Sequence, residues 1–152
     1  TQFKVDDVRW AALGGAASID RQYMKPGVSW WPQEYITDED VEFACSGDKV
    51  EVMITHDTPQ LPGPIILQDR STARYWPEED RELSYHNSKR ILKVMEKIQP
   101  SKICHGHWHM RYTEDVELSY GTVEFTGLDC DTGSLYDNLV LVDGYGNRDR
   151  LL

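Results

Sequence analysis

The sequence has no surplus of positive charge. Its 152 residues carry 26 acidic side chains against 16 lysines and arginines, a net charge of −10. A nucleic-acid-binding surface needs a basic patch, so no charge-driven nucleic-acid partner is expected. A phosphorylated small substrate stays compatible, because bound metal ions can supply positive charge locally. Cysteine is scarce: Cys45, Cys104 and Cys130 are odd in number, widely spread and form no CxxC pair. That argues against a disulfide framework and for a reducing compartment, so a cytoplasmic location is expected. No apolar run approaches the ~20 residues that span a bilayer, so no membrane partner is expected. There is no signal peptide, and the chain opens on Thr1 and not on methionine, so a natural N-terminus is expected further upstream. The length suits one domain with a real core.

Against this background, one stretch is rich in a single chemistry. Ile103-Cys104-His105-Gly106-His107-Trp108-His109 places three imidazoles within five residues. Imidazole is the commonest protein ligand for borderline transition metals. His107 and His109 are two apart, so on an extended or turning backbone they can reach one site or two adjacent ones. Gly106 lets the chain pass close to a ligand. Ser101 to Cys104 is predicted to be a short buried strand entering this loop, after Pro100 has ended a helix. A metal site is the functional expectation; a surface loop that happens to be rich in histidine is the bland one.

Taken in order, the chain begins with an apolar run, Val8 to Leu13, that stops at Gly14-Gly15. It is predicted to be a buried strand followed by a sharp turn, with small residues continuing to Arg21. Trp30-Trp31 before Pro32 is costly to leave in water, and either caps a core edge or lines a pocket. Glu34 is expected to be a solvated acid. Thr37, with Asp40 three residues on, opens a helix that Gly47 closes. Val50 to Thr55 is a β-rich run ending in His56-Asp57-Thr58-Pro59. A histidine at the end of a core strand is where α/β folds place ligand-binding groups, although a capping or core histidine fits as well.

Leu61 to Tyr75 gives no clear pattern. Leu83 to Gln99 is the clearest helix, with Ile91, Leu92, Met95 and Ile98 as its apolar face and Lys89, Arg90, Lys93 and Lys97 as its solvated one. His86, near its start, is expected on the surface. Tyr112 to Leu118, Thr122 to Leu128 and Leu139 to Val142 are predicted strands separated by turn clusters, an antiparallel ending. There is no internal repeat and no linker.

In sequence order the pieces are Leu13-Gly14-Gly15 with Ser18-Ile19-Asp20-Arg21, then Ser29-Trp30-Trp31-Pro32, Thr55-His56-Asp57-Thr58-Pro59 and His105-Gly106-His107-Trp108-His109. This arrangement closely resembles the C-terminal half of a calcineurin-like metallophosphoesterase, over nearly the whole chain. The resemblance implies an α/β (α+β) fold, part of a four-layer sandwich of two mixed β-sheets flanked by helices, with residues 1–152 as the C-terminal portion of a single domain. It implies two divalent ions in the complete enzyme, manganese, iron, zinc or nickel. His56 and His107 match two ligands of one ion, and His109 a ligand of the other; His105 has no ligand counterpart. Gly14, Asp20, Arg21, Trp30 and Trp31 resemble a pocket rim found in part of the family.

The sequence also departs from the family. The Asp-x-His, Gly-Asp and Gly-Asn-His motifs of the family's first half do not occur here; Gly47-Asp48 has the wrong position and neighbours. The carboxylate and asparagine ligands, and the catalytic groups with them, are therefore expected upstream of Thr1. The function implied is hydrolysis of a phosphate ester by water activated between two metals, with the missing N-terminal half as partner and little activity from this chain alone. The alternative is a non-catalytic scaffold of the same fold with degenerate metal sites.

Overall fold

The computed structural model describes residues 1–18, 21–60 and 76–140. Strand β1 (Gln2–Val5) and strand β2 (Val8–Leu13) form a hairpin through Asp6-Asp7. Both aspartates have positive φ, 47° and 67°. That is the geometry a two-residue hairpin turn demands, and aspartate tolerates it better than most residues. β1 alternates polar and apolar over only four residues, all exposed, which is too short a pattern to be legible as a strand.

Helix α1 (Asp38–Cys45) starts as the sequence implies. The Thr37 hydroxyl accepts from the Asp40 N–H, and the Asp40 carboxylate accepts from the Thr37 N–H. The Thr37 hydroxyl, which also donates to the Asp40 carboxylate at 2.7 Å, and the Thr37 N–H hold the Asp40 carboxyl below its ordinary value. Ser46, not Gly47, is the C-cap. Gly47 leaves room for the end of the Gln2 side chain, which pairs with the Asp48 backbone. Strand β3 (Val52–Thr55) follows.

Helix α2 (Glu78–Ile98) begins five residues before the predicted Leu83. Glu78, Glu79 and Asp80 make an acidic first turn that favours the positive end of the helix dipole. Its buried face is Ile91, Val94, Met95 and Ile98, with Leu92 only half-buried. Gln99 adopts a left-handed conformation and Pro100 stops the helix. Strands β4 (Lys102–His105), β5 (Tyr112–Leu118) and β6 (Gly121–Gly127) and the short helix α3 (Leu135–Asn138) complete the described chain. No strand is formed at Leu139-Val140, and the rest of the predicted Leu139–Val142 strand lies outside the described residues, as does 61–75.

The strands make one mixed six-stranded sheet in the order β1-β2-β3-β4-β6-β5. β2, β3, β4 and β6 run parallel, with antiparallel partners at both edges. The predicted antiparallel ending is therefore partly corrected: β5 and β6 form the hairpin, but β6 joins the parallel block. The fold is mixed α/β.

One sheet face carries the main core. Ala11, Leu13, Met53, Ile103, Val123 and Phe125 pack there against Val41 of α1 and Ile91, Val94, Met95 and Ile98 of α2. On the other face Val8, Trp10 and Val52 form a smaller cluster, and Phe3 stacks on Trp10. No helix among the described residues is long and apolar enough to cross a membrane.

Candidate metal centre at the strand ends

β3 and β4 are parallel neighbours, so the loops that leave their C-terminal ends emerge side by side. In such sheets this edge is where ligands bind. The two loops are stitched together by the Gly106 N–H donating to the His56 carbonyl at 3.0 Å. The result brings the His56 and His107 rings to 5.2 Å between centroids, 51 positions apart in sequence.

The loop after β4 is strained where it matters. His107 has φ 69° and His109 φ 53°. Around His107 the chain closes a three-residue turn, with the Trp108 N–H donating to the Gly106 carbonyl at 2.8 Å. Left-handed conformations cost a non-glycine residue roughly 1–2 kcal/mol, and such strain collects at functional sites. His107 is largely enclosed, and its Nε2 is buried with no hydrogen-bond partner. Burial lowers the His107 pKa below its ordinary value; Asp57 opposes this, while His56 and His109 reinforce it. A neutral imidazole with a free ring nitrogen is the form that binds metal.

His105 has a different fate. It is 2 % exposed. Its Nδ1 lies 2.9 Å from the Gly106 carbonyl, which can only accept, so Nδ1 carries the proton. Nε2 then accepts from the Tyr112 hydroxyl. Both nitrogens are used, and His105 is a core residue that anchors β4 to β5. Burial lowers its pKa and raises that of Tyr112.

The His56–His107 pair forms a wall between two cavities. The larger, about 700 Å³, is lined also by Gly14, Gly15, Ser18 and Glu34. The smaller, about 380 Å³, is lined also by His109, Cys104, Asp129 and Cys130. His109 thus shares a cavity with the pair, but its side is exposed. Among the described residues no three His, Cys, Asp or Glu side chains close into a metal-holding group. The residues that could hold an ion here are the His56 and His107 imidazoles, with the buried Nε2 of His107 as one donor.

The pocket-rim residues divide. Gly14 lines the larger cavity. Gly15 supplies the sharp turn: at φ 113°, a Cβ there would lie 2.8 Å from Ile36 Cγ1 and 3.0 Å from the Glu34 carbonyl. Asp20 lies outside the described residues. Arg21, Trp30 and Trp31 do not line either cavity. Arg21 pairs with Asp80 and Glu79, both at 2.9 Å, and lies over the Trp30 ring. It ties its loop to the start of α2. Trp30 packs edge-on against Tyr35, and Trp31 is 45 % exposed.

Other residues were missed. Glu34, expected to be solvated, accepts from the Ser18 hydroxyl at 2.8 Å and the Trp31 N–H at 3.1 Å, and lines the larger cavity. Asn87 and Trp108 reach the centre from α2 and from the histidine loop itself. His86 is exposed, as expected, beside a wholly buried Asn87. The three cysteines carry free thiols.

No protein-family model matches this chain, and no curated protein matches it.

Proposed function

We propose that the chain forms part of a calcineurin-like metallophosphoesterase domain and hydrolyses a phosphate ester when that domain is complete. The observation that carries this is the 5.2 Å approach of His56 and His107 at adjoining parallel strand ends, with a buried, unpartnered Nε2 on His107. His109 lies along the same cavity as a candidate ligand for a second ion. A divalent ion in such a centre neutralises phosphate charge and lowers the pKa of bound water. The residues of this chain would hold the ion as neutral imidazoles and shape the cavity beside it. Two ions, manganese, iron, zinc or nickel, belong to the complete domain, with carboxylate ligands that this sequence does not contain.

The second sheet face supports the finer expectation of a sandwich. Phe3, Val5 and Ile54 stand there 40 %, 42 % and 39 % exposed, next to the Val8–Trp10–Val52 cluster. A second sheet over β1 to β3 would bury them. The runner-up reading, a non-catalytic scaffold, draws on the absent carboxylate motifs; three histidines gathered at one edge count against it.

Calorimetric titration with zinc, nickel and manganese tests the proposal. We expect one equivalent to bind, zinc and nickel ahead of manganese, following the usual divalent order. His56→Ala or His107→Ala should abolish binding. Hydrolysis of an aryl phosphate by this chain alone should sit near background. Metal binding that survives both substitutions would sink the assignment.

A further inference from the structure

The most deeply buried charged group at the centre is a residue the metal reading leaves unused. Asp57 is fully buried. Its Oδ1 accepts from the Thr58 N–H at 2.7 Å and the Trp108 indole N–H at 2.9 Å. Its Oδ2 accepts from the Asn87 side-chain amide at 3.1 Å. Its own carbonyl accepts from the Thr55 hydroxyl at 2.6 Å. These donors come from three places: the His56 loop, the His107 loop and α2. All three donors to its carboxylate are neutral. Among the described residues no lysine or arginine pairs with it.

A buried carboxylate without a cation is expensive, because neutral donors only partly replace its hydration. If its sole role were to tie loops, a neutral acceptor would meet the same need at lower cost. The placement sets this negative charge between the two histidine loops. Asp57 follows His56 directly and accepts from Trp108, the residue after His107. Trp108 is itself held in place by stacking on Trp76, 5.6 Å between centroids, and by its edge contact with His107. Asn87 carries the network further, accepting from the Ile36 N–H and reaching the Gly15 carbonyl at the wall of the larger cavity.

We infer that Asp57 is the positioning residue of the centre, a buried carboxylate that sets both histidine loops in register and supplies outer negative charge to a divalent cation on His56 and His107. This rests on the metal-centre reading above. Outer carboxylates that accept from a ligand's ring N–H orient imidazoles, and their loss typically weakens metal binding ~10–100-fold; Asp57 acts instead through the Thr58 N–H and the Trp108 indole, which fix the loops that carry the rings.

Cobalt(II) titration followed by visible absorption, with far-ultraviolet circular dichroism as the folding control, tests it on four proteins: the unaltered chain, His107→Ala, Asp57→Asn and Trp108→Phe. We expect the unaltered chain to bind cobalt and His107→Ala to lose it. Asp57→Asn should keep its secondary structure and bind ~10–100-fold more weakly, with a shifted cobalt spectrum. Trp108→Phe keeps the charge and removes one tether, so it should show a smaller loss. If Asp57→Asn does not fold, Trp108→Phe decides alone, and unchanged affinity there overturns the inference. A folded Asp57→Asn that binds cobalt as tightly as the unaltered chain refutes the role of Asp57 and leaves the metal centre standing. No cobalt binding by the unaltered chain refutes both.

Discussion

The two faces of the sheet solve the burial problem differently. On the face toward α1 and α2, Met53, Ile103, Val123 and Phe125 are wholly buried in one cluster with the apolar residues of both helices. On the other face Val8, Trp10 and Val52 are the buried apolar residues, Thr126 is buried as well, and Phe3, Val5 and Ile54 remain partly in solvent. That face changes character across the sheet: apolar over β1 to β3, then polar at Lys102, Glu124 and Asp115 on β4 to β5. The first face holds the fold together. The second leaves apolar side chains partly in solvent over β1 to β3.

Phe125→Ala, on the helix-covered face, is the harshest test of this contrast. Emptying a wholly buried aromatic site should cost about 3–5 kcal/mol, read from urea unfolding. Tyr112→Phe probes the same face more gently. It strips His105 Nε2 of its only partner in the core, which should cost about 1–3 kcal/mol. Acid should act on this face too. Burial holds the folded pKa values of His105 and His107 below the unfolded value near ~6.5. The unfolded chain then takes up protons first, so this contribution is complete above ~6.5 and is lost as pH falls below it. Urea midpoints between pH 7.5 and 5.5 should fall with pH, and His107→Gln should flatten the slope. The smallest effect belongs to the open face: Ile54→Ser should stay within about 0.5 kcal/mol. If it costs as much as Phe125→Ala, the two faces are equally covered and the case for a further layer disappears.

The helix-covered face was largely legible. Val8–Leu13 and Tyr112–Leu118 were predicted with the bounds they have, and the Thr37–Asp40 capping box forms as read. These signals are local: apolar alternation, a cap and a stop within a few residues. Val94 was missed as a core residue and Leu92 overrated, because the two lie on adjoining stripes and only the approach angle of α2 chooses between them. β1 was invisible since an edge strand needs no apolar pattern, only a partner.

The candidate centre divides along the same line. That histidines cluster at 105–109, and that one stands at the end of the β3 run, was plain from the order of residues. Which of them share a wall was not. Parallel pairing of β3 with β4 sets His56 against His107, and the positive φ at 107 turns that ring into the cavity edge while His105, two residues earlier, points into the core under Tyr112. Alternation would put the two histidines on one face; the chain leaves the strand after His105, and the positive φ at His107 is what separates them. Asp57 carried no signal at all: a lone aspartate between histidine and threonine reads as a turn. Its meaning comes from Trp108 and Asn87, 51 and 30 positions away, whose N–H groups reach it only because the sheet brings two loops and a helix to one point. Composition and spacing determined which chemistry the chain carries; long-range pairing decided which atoms are left free to perform it.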